Sequence, residues 1–288
     1  DPCDLGVLDT LERLYTETTD YKNIVKILEI KAGLFKEDVV VNTFYYQIST
    51  IWEEKLQNEE ESIRALEKIV ESDAKNIPAL RRLERLYEAK QKYDRLNDVY
   101  RKQAQVATEK EQKVALYLKC GRISEEKLVA PDQALRFYLE VIQLAHDNPE
   151  ALDRLLKIYR QQEKWGELAA IYAKKIAVTA DKNEIVHLSF ELASLYRQQL
   201  NDPNDAIKTY HGVLKLQPSN MEAIHALKEL YYQIGQYGNL EKVLRAEWEL
   251  SQDKEKKKSL CIQMGEICEE KLFDLERAIA HYITVLDY

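Results

Sequence analysis

The sequence predicts an all-α chain of stacked helical hairpins, and three observations lead there. Glycine occurs 8 times and proline 6 times in 288 residues, well below the ordinary ~7% and ~5%. That is too few for the turns of a β-rich fold or the phosphate loops of a doubly wound one. Apolar residues recur at helical spacing, and no segment alternates convincingly at period two. Above all, the chain repeats itself: 288 is four times 72, and columns of like residues recur at 72 without insertion or deletion. Tyr15, Tyr87, Tyr159 and Tyr231 form one column; Tyr21, Tyr93, Trp165 and Tyr237 another. Leu56, Leu128, Leu200 and Leu272 follow, then Leu66, Tyr138, Tyr210 and Tyr282 beside Ile69, Val141, Val213 and Val285. The columns divide the chain into four units, 1–72, 73–144, 145–216 and 217–288, expected to form one continuous solenoid cut from a longer array.

Each unit reads as two hairpins, so sixteen helices are expected. In the third unit, Pro149 suits a first helical turn, where its missing N–H costs nothing. Leu152, Leu155, Ile158 and Tyr159 then fall on one face, and Gln161–Lys164 breaks the pattern. Trp165, Leu168, Ile171 and Tyr172 mark a second helix. Leu188, Leu192, Leu195 and Tyr196 mark a third, from about Glu184. A turn at Asn201-Asp202-Pro203-Asn204 leads into a fourth with Ala206, Ile207, Tyr210, Val213 and Leu214.

The second hairpin of each unit carries small residues where two helices must approach closely. Ser49, Cys120-Gly121, Leu192-Ala193 and Met264-Gly265 form one such column, and Ser62, Ala134, Ala206 and Ala278 the other. Pro218 closes a repeat, and Gly235-Gln236-Tyr237 reads as a hairpin turn. In these residues the chain resembles the tetratricopeptide repeat family over its whole length. The resemblance implies a right-handed superhelical solenoid of about eight hairpins, whose first helices line a concave face. The first hairpin of each unit departs from the pattern. Glu12, Glu84, Leu156 and Lys228 stand where a small residue belongs, and Ile24, Leu96, Leu168 and Leu240 replace the next one. Packing there is expected to be wider or differently angled.

Composition narrows the function. With 42 Lys+Arg against 50 Asp+Glu the net charge is −8, the wrong sign for general binding to DNA. Cys3, Cys120, Cys261 and Cys268 form no CxxC pair and no zinc spacing, and Cys261 and Cys268 share a helix face as core residues do. The longest uncharged stretch, Val39 to Trp52, is 14 residues and polar in part, too short to span a bilayer. The five histidines show no paired spacing, and neither a phosphate loop nor a nucleophile elbow occurs. Glu59-Glu60-Glu61 and Glu269-Glu270 read as solvated surface, and Lys254-Glu255-Lys256-Lys257-Lys258 as a solvated linker before a helix. The 18 tyrosines fall mostly in the repeat columns, as core fillers rather than a stacking platform. No enzyme activity, cofactor, metal or membrane insertion is expected, and the default location is the cytoplasm.

The expected function is a protein–protein interaction scaffold that presents a groove to a peptide or partner domain. A structural segment that self-associates through uncapped ends is the alternative, with an RNA-processing scaffold a distant third. On the inner helices, cations line up beside the core stripe: Arg81, Arg82, Arg85, Lys119 and Arg122 in the second unit, then Arg154, Lys157, Arg160 and Arg197 in the third. The fourth turns acidic at Glu229, Glu266 and Glu269. This strip reads either as a site for an acidic segment, gripped bidentately by arginine, or as surface charge paired with neighbouring carboxylates.

Overall fold

The computed structural model describes residues 4–287, so Cys3 and Tyr288 lie outside the described residues. Sixteen α-helices follow one another, and the described residues contain no strand. Their bounds recur at the sequence period. The first helices of the units are α1 (Leu5–Glu17), α5 (Ile77–Ala89), α9 (Pro149–Gln161) and α13 (Met221–Gln233). The second are α2 (Tyr21–Leu34), α6 (Tyr93–Val106), α10 (Trp165–Val178) and α14 (Tyr237–Leu250). The third are α3 (Asp38–Thr50), α7 (Lys110–Glu126), α11 (Lys182–Gln198) and α15 (Lys254–Glu270). The fourth are α4 (Glu59–Ser72), α8 (Pro131–Leu144), α12 (Pro203–Leu216) and α16 (Leu275–Val285). Two helices depart from their columns: the last turn of α3 is wound as a π helix at Ile51–Lys55, and α16 ends at Val285, three residues before the register of α4, α8 and α12.

Local chemistry explains the shared bounds. The side chains of Asp4, Asn76 and Asn220 cap α1, α5 and α13, and Asn148 accepts from the Ala151 amide at 2.9 Å at the same place before α9. Each satisfies an amide that the first helical turn leaves without a partner. The turns between helices rest on residues with left-handed backbone. Thr19, Gln91, Glu163 and Gly235 hold this conformation in one column; Gln57, Val129, Asn201 and Phe273 hold it in another. Glycine fills only one of the eight positions, so the low glycine count does not mean an absence of tight turns. The run Lys254–Lys258, expected as a linker, forms the first turn of α15 instead. Asp253 caps it by accepting from the Glu255 and Lys256 amides.

The helices gather into two compact units, residues 1–151 and 152–288. In the first, α1 to α8 pack each against the next, around a core that includes Leu66, Ile69, Leu80, Leu83, Leu96 and Cys120. In the second, α10 to α16 do the same, around Ala206, Val213, Ile224, Leu227, Leu244 and Met264. The small columns sit where expected. Ser62, Ala134, Ala206 and Ala278 are buried. A Cβ on Gly121 would lie 2.5 Å from the Tyr138 ring, and one on Gly265 equally close to Tyr282. The aromatic column thus fills the space that the glycines vacate.

Candidate functional site

The first hairpins, which depart from small-residue packing, each carry a polar cluster between their helices. Lys31 on α2 is buried and donates to Asp9 at 2.6 Å and Glu12 at 2.5 Å, both on α1. In the same columns of the second unit, Gln103 on α6 donates to Glu84 at 2.9 Å. In the third, Lys175 on α10 meets Asp153 at 2.6 Å and Glu184 at 3.4 Å. In the fourth the polarity inverts. Glu247 on α14 is the buried group, and Lys228 at 2.6 Å, Lys256 at 2.9 Å and His225 at 3.2 Å surround it. Burial alone would raise the Glu247 carboxyl, but bonds from Lys228 and Lys256 outweigh it and hold it down to about 2. For Lys31 and Lys175 burial acts to lower the ammonium, and the facing carboxylates override it and raise both. Six residues earlier on α14, buried Glu241 accepts from Arg245 at 2.6 Å and lies 3.1 Å from His281. Neither buried glutamate was singled out from the sequence. Read down its column as Lys31, Gln103, Lys175 and Glu247, the cluster had a signal: a polar residue persisting on an otherwise apolar helix face.

In the first, second and fourth units the first three helices line an open cleft beside the cluster, and its lining recurs column by column. In the first unit it measures about 430 Å³, lined among others by Tyr21, Ile24, Leu28, Tyr46, Ile51 and Lys55. In the second it is about 380 Å³, with Tyr93, Leu96, Tyr100, Ile123 and Lys127 in those places and Glu84, Glu88, Lys119 and Arg122 at the mouth. In the fourth it is about 300 Å³, with Lys228, Tyr232, Leu240, Leu244, Gln263 and Ile267. In the third unit the same columns hold Arg160, Tyr172 and Glu191. There the Arg160 guanidinium donates to the Tyr172 hydroxyl and to Glu191 at 2.9 Å. Lysines stand over the tyrosine rings at these sites: Lys55 lies 6.0 Å from the Tyr21 centroid, Lys127 5.6 Å from Tyr93 and Lys119 4.6 Å from Tyr100.

The cations of the expected strip stand on the helices of this face, and the chain's own carboxylates meet most of them. Arg82 and Arg85 both bind Glu53, which the π turn carries toward α5. Lys119 lies 3.3 Å from Glu84, and Arg122 grips Glu150 through two nitrogens. Arg160 pairs with Glu191 and Arg197 with Glu229, the latter at 3.0 Å. Arg154 and Lys157 lie on α9, and Arg81 borders a further cavity of about 400 Å³ with Gln103 and Gln112. The Glu53–Arg85 and Arg197–Glu229 pairs occupy the same columns with the charges exchanged, so attraction is kept while each partner changes sign. Among the described residues, no group of three or more His, Cys, Asp or Glu side chains could hold a metal ion. No helix of the described residues is long and apolar enough to cross a membrane.

Residues 79–114 match the family model of the tetratricopeptide repeat. The match falls on α5 and α6, a first hairpin, the kind whose small-residue columns are least regular. Among solved structures, the chain is similar to YrrB, described as a TPR protein with an unusual peptide-binding site, at 17% identity over 72% of this chain and 96% of that one, with a TM-score of 0.33. It is similar to a tetratricopeptide repeat protein from Parabacteroides merdae at 14% identity, 85% and 92% coverage and a TM-score of 0.33. The C-terminal part of a TPR repeat-containing protein from Cytophaga hutchinsonii gives 15%, 84% and 94%, and 0.36. No curated protein matches the chain.

Proposed function

We propose that this tetratricopeptide-repeat protein is a non-catalytic scaffold that binds a peptide or partner domain along the face formed by the first helices of its hairpins. The carrying observation is the cavity that recurs in the same columns of the first, second and fourth units. The lining recurs as well, since Ile24, Leu96 and Leu240 in one column and Ile51, Ile123 and Ile267 in another offer an apolar surface at each cleft. In this reading each 72-residue unit is one recognition unit. The partner segment is acidic in part, and Arg81 and the exposed guanidinium of Arg85 reach it first, with Arg82, Lys119, Arg122, Arg154, Lys157, Arg160 and Arg197 behind them. The internal pairs limit this attraction, since an incoming carboxylate must compete with Glu53, Glu84 or Glu150. A cytoplasmic setting suits the buried thiols Cys120, Cys261 and Cys268, the first pushed up to about 12 by burial.

The test is to capture a partner on the immobilised chain, then measure its affinity for wild type and for the triple variant Arg81→Glu, Arg85→Glu, Arg122→Glu at two salt concentrations. Weaker binding and a flatter salt dependence in the variant support the reading. Equal affinities without salt dependence overturn its electrostatic part. Self-association through the ends is the second reading. Ile279 and Leu286 on the last helical segment are 57% and 83% exposed, whereas Ile207 and Ile63 in the column of Ile279, and Val70 and Ile142 in that of Leu286, are buried. Leu5, Val7 and Leu14 on α1 are exposed in the same way. Light scattering across a concentration series separates the two: association that grows with concentration favours the ends, a constant monomer the groove.

A further inference from the structure

The cavity of the first unit differs from its counterparts in three ways, and together they specify a ligand chemistry. Its walls are the most apolar of the series. Where the second unit has Glu88, Lys119 and Arg122, the first has the uncharged Thr16, Gln47 and Thr50, over a floor of Ile24 and Leu28. Its one lining carboxylate, Glu12, is already bound to Lys31. Its wall contains the π turn that ends α3, since Ile51 and Lys55 both line it, whereas the same columns of the second unit stay in α7 through Glu126. Finally, Lys55 stands exposed at the rim over the Tyr21 ring and has no carboxylate partner among the described residues. In the third unit the chain's own Arg160, at the column of Thr16, bonds the Tyr172 hydroxyl and Glu191 across the same columns.

We propose that the first-unit cavity is the anchoring subsite for a peptide that carries an aliphatic or aromatic residue next to an acidic one. This rests on the groove reading above and adds the identity of the anchor. The apolar side chain enters between Tyr21, Leu28, Tyr46 and Ile51, and the neighbouring carboxylate pairs with Lys55. A cavity of about 430 Å³ lies within the range of sites that bury small ligand groups. A few well-packed, desolvated anchors carry most of the energy of an interface. The second-unit cavity, ringed by both signs of charge, selects a polar side chain and contributes register rather than anchoring.

The experiment is selection of a phage-displayed random dodecapeptide library on the full chain, in parallel with two variants. Thr16→Trp, at an exposed position on α1, fills the cavity without touching the core. Lys55→Glu reverses the rim charge. Wild type is expected to enrich peptides with an apolar–acidic pair. Synthetic copies should bind the Thr16→Trp chain at least tenfold more weakly, and Lys55→Glu should shift the enriched pair to apolar–basic. Circular dichroism of both variants confirms that the helices are kept. Enriched peptides without such a pair, or with affinities unmoved by Thr16→Trp and Lys55→Glu, overturn the proposal. If those same peptides lose affinity in the Arg81→Glu, Arg85→Glu, Arg122→Glu chain, the groove reading survives alone. Enrichment of no peptide at all overturns both.

Discussion

Replacing Glu247 by glutamine tests the inverted cluster most directly, because it removes the charge while keeping the volume. The carboxylate is 3% exposed and held by Lys228, Lys256 and His225. Its fall from an ordinary 4.5 to about 2 corresponds to about 3 kcal/mol of preference for the ionised form in the folded chain. Glutamine keeps an acceptor for one lysine and leaves the other charges facing a neutral amide, so the expected loss at pH 7 is about 3 kcal/mol. The folded-state value is depressed, so the contribution is complete above the unfolded value and fades as pH falls through 4.5 toward 2. The gap between wild type and Glu247→Gln should therefore be widest near neutrality, shrink to about a quarter near pH 2.5 and nearly close only below about pH 2. Repeat arrays need not unfold in one step. Urea titration should accordingly be read by circular dichroism and by hydrogen exchange of the α14 amides together. A loss below about 1 kcal/mol at pH 7, or a gap as wide in acid as at neutrality, refutes the assignment. Glu247→Lys alone should be worse than Glu247→Gln. Combined with His225→Asp, Lys228→Leu and Lys256→Glu it recreates the arrangement around Lys175 and should recover most of the loss.

Three further outcomes follow from geometry. Gly121→Ala places a Cβ 2.5 Å from the Tyr138 ring and should cost about 1–3 kcal/mol; an unchanged thermal midpoint would mean that α7 and α8 have slack between them. Val129 is β-branched, 79% exposed and held at φ 51°, so Val129→Gly should stabilise by about 1 kcal/mol in urea unfolding, and a destabilised variant would contradict the left-handed turn. Ala206→Glu buries a charge at a helix crossing where Ala206 is fully enclosed and should cost about 3 kcal/mol or more; an unshifted melting curve would displace the small-residue column.

The helices were legible because burial acts on columns. Tyr87, Tyr159 and Tyr231, with Leu80, Leu152 and Ile224 on the same helices, fill equivalent buried places, so the period in the sequence is the period in space. The caps were equally legible in principle, since Asp4, Asn76, Asn148 and Asn220 share a column. What sequence could not supply was pairing. Arg82 and Arg85 look like free groove cations until the π turn brings Glu53 beside them, 29 and 32 residues away. Glu241 and Glu247 read as surface on an acidic chain, because a carboxylate's burial depends on which bases stand across the helix pair. The run at Lys254 looked like a linker because its charges hide the cap at Asp253 and the contact of Lys257 with Trp248, 4.7 Å from its centroid.

The four clusters also bear on how a chain of near-copies avoids pairing with itself wrongly. Apolar columns cannot discriminate, since Leu83, Leu155 and Leu227 are interchangeable in shape and equally buried. The polar columns can. The first and third hairpins set a lysine on the second helix against acids, the second hairpin is built on Gln103 and Glu84, and the fourth sets Glu247 against bases. If α10 took the place of α14, Lys175 would be buried against His225, Lys228 and Lys256. If α14 replaced α10, Glu247 would face Asp153 and Glu184. Each exchange leaves like charges together out of water, a penalty of several kcal/mol against a native arrangement that is paired. The departures from the small-residue pattern thus give the hairpins three polar identities that the repeated core withholds: lysine against acids, glutamine against an acid, and glutamate against bases.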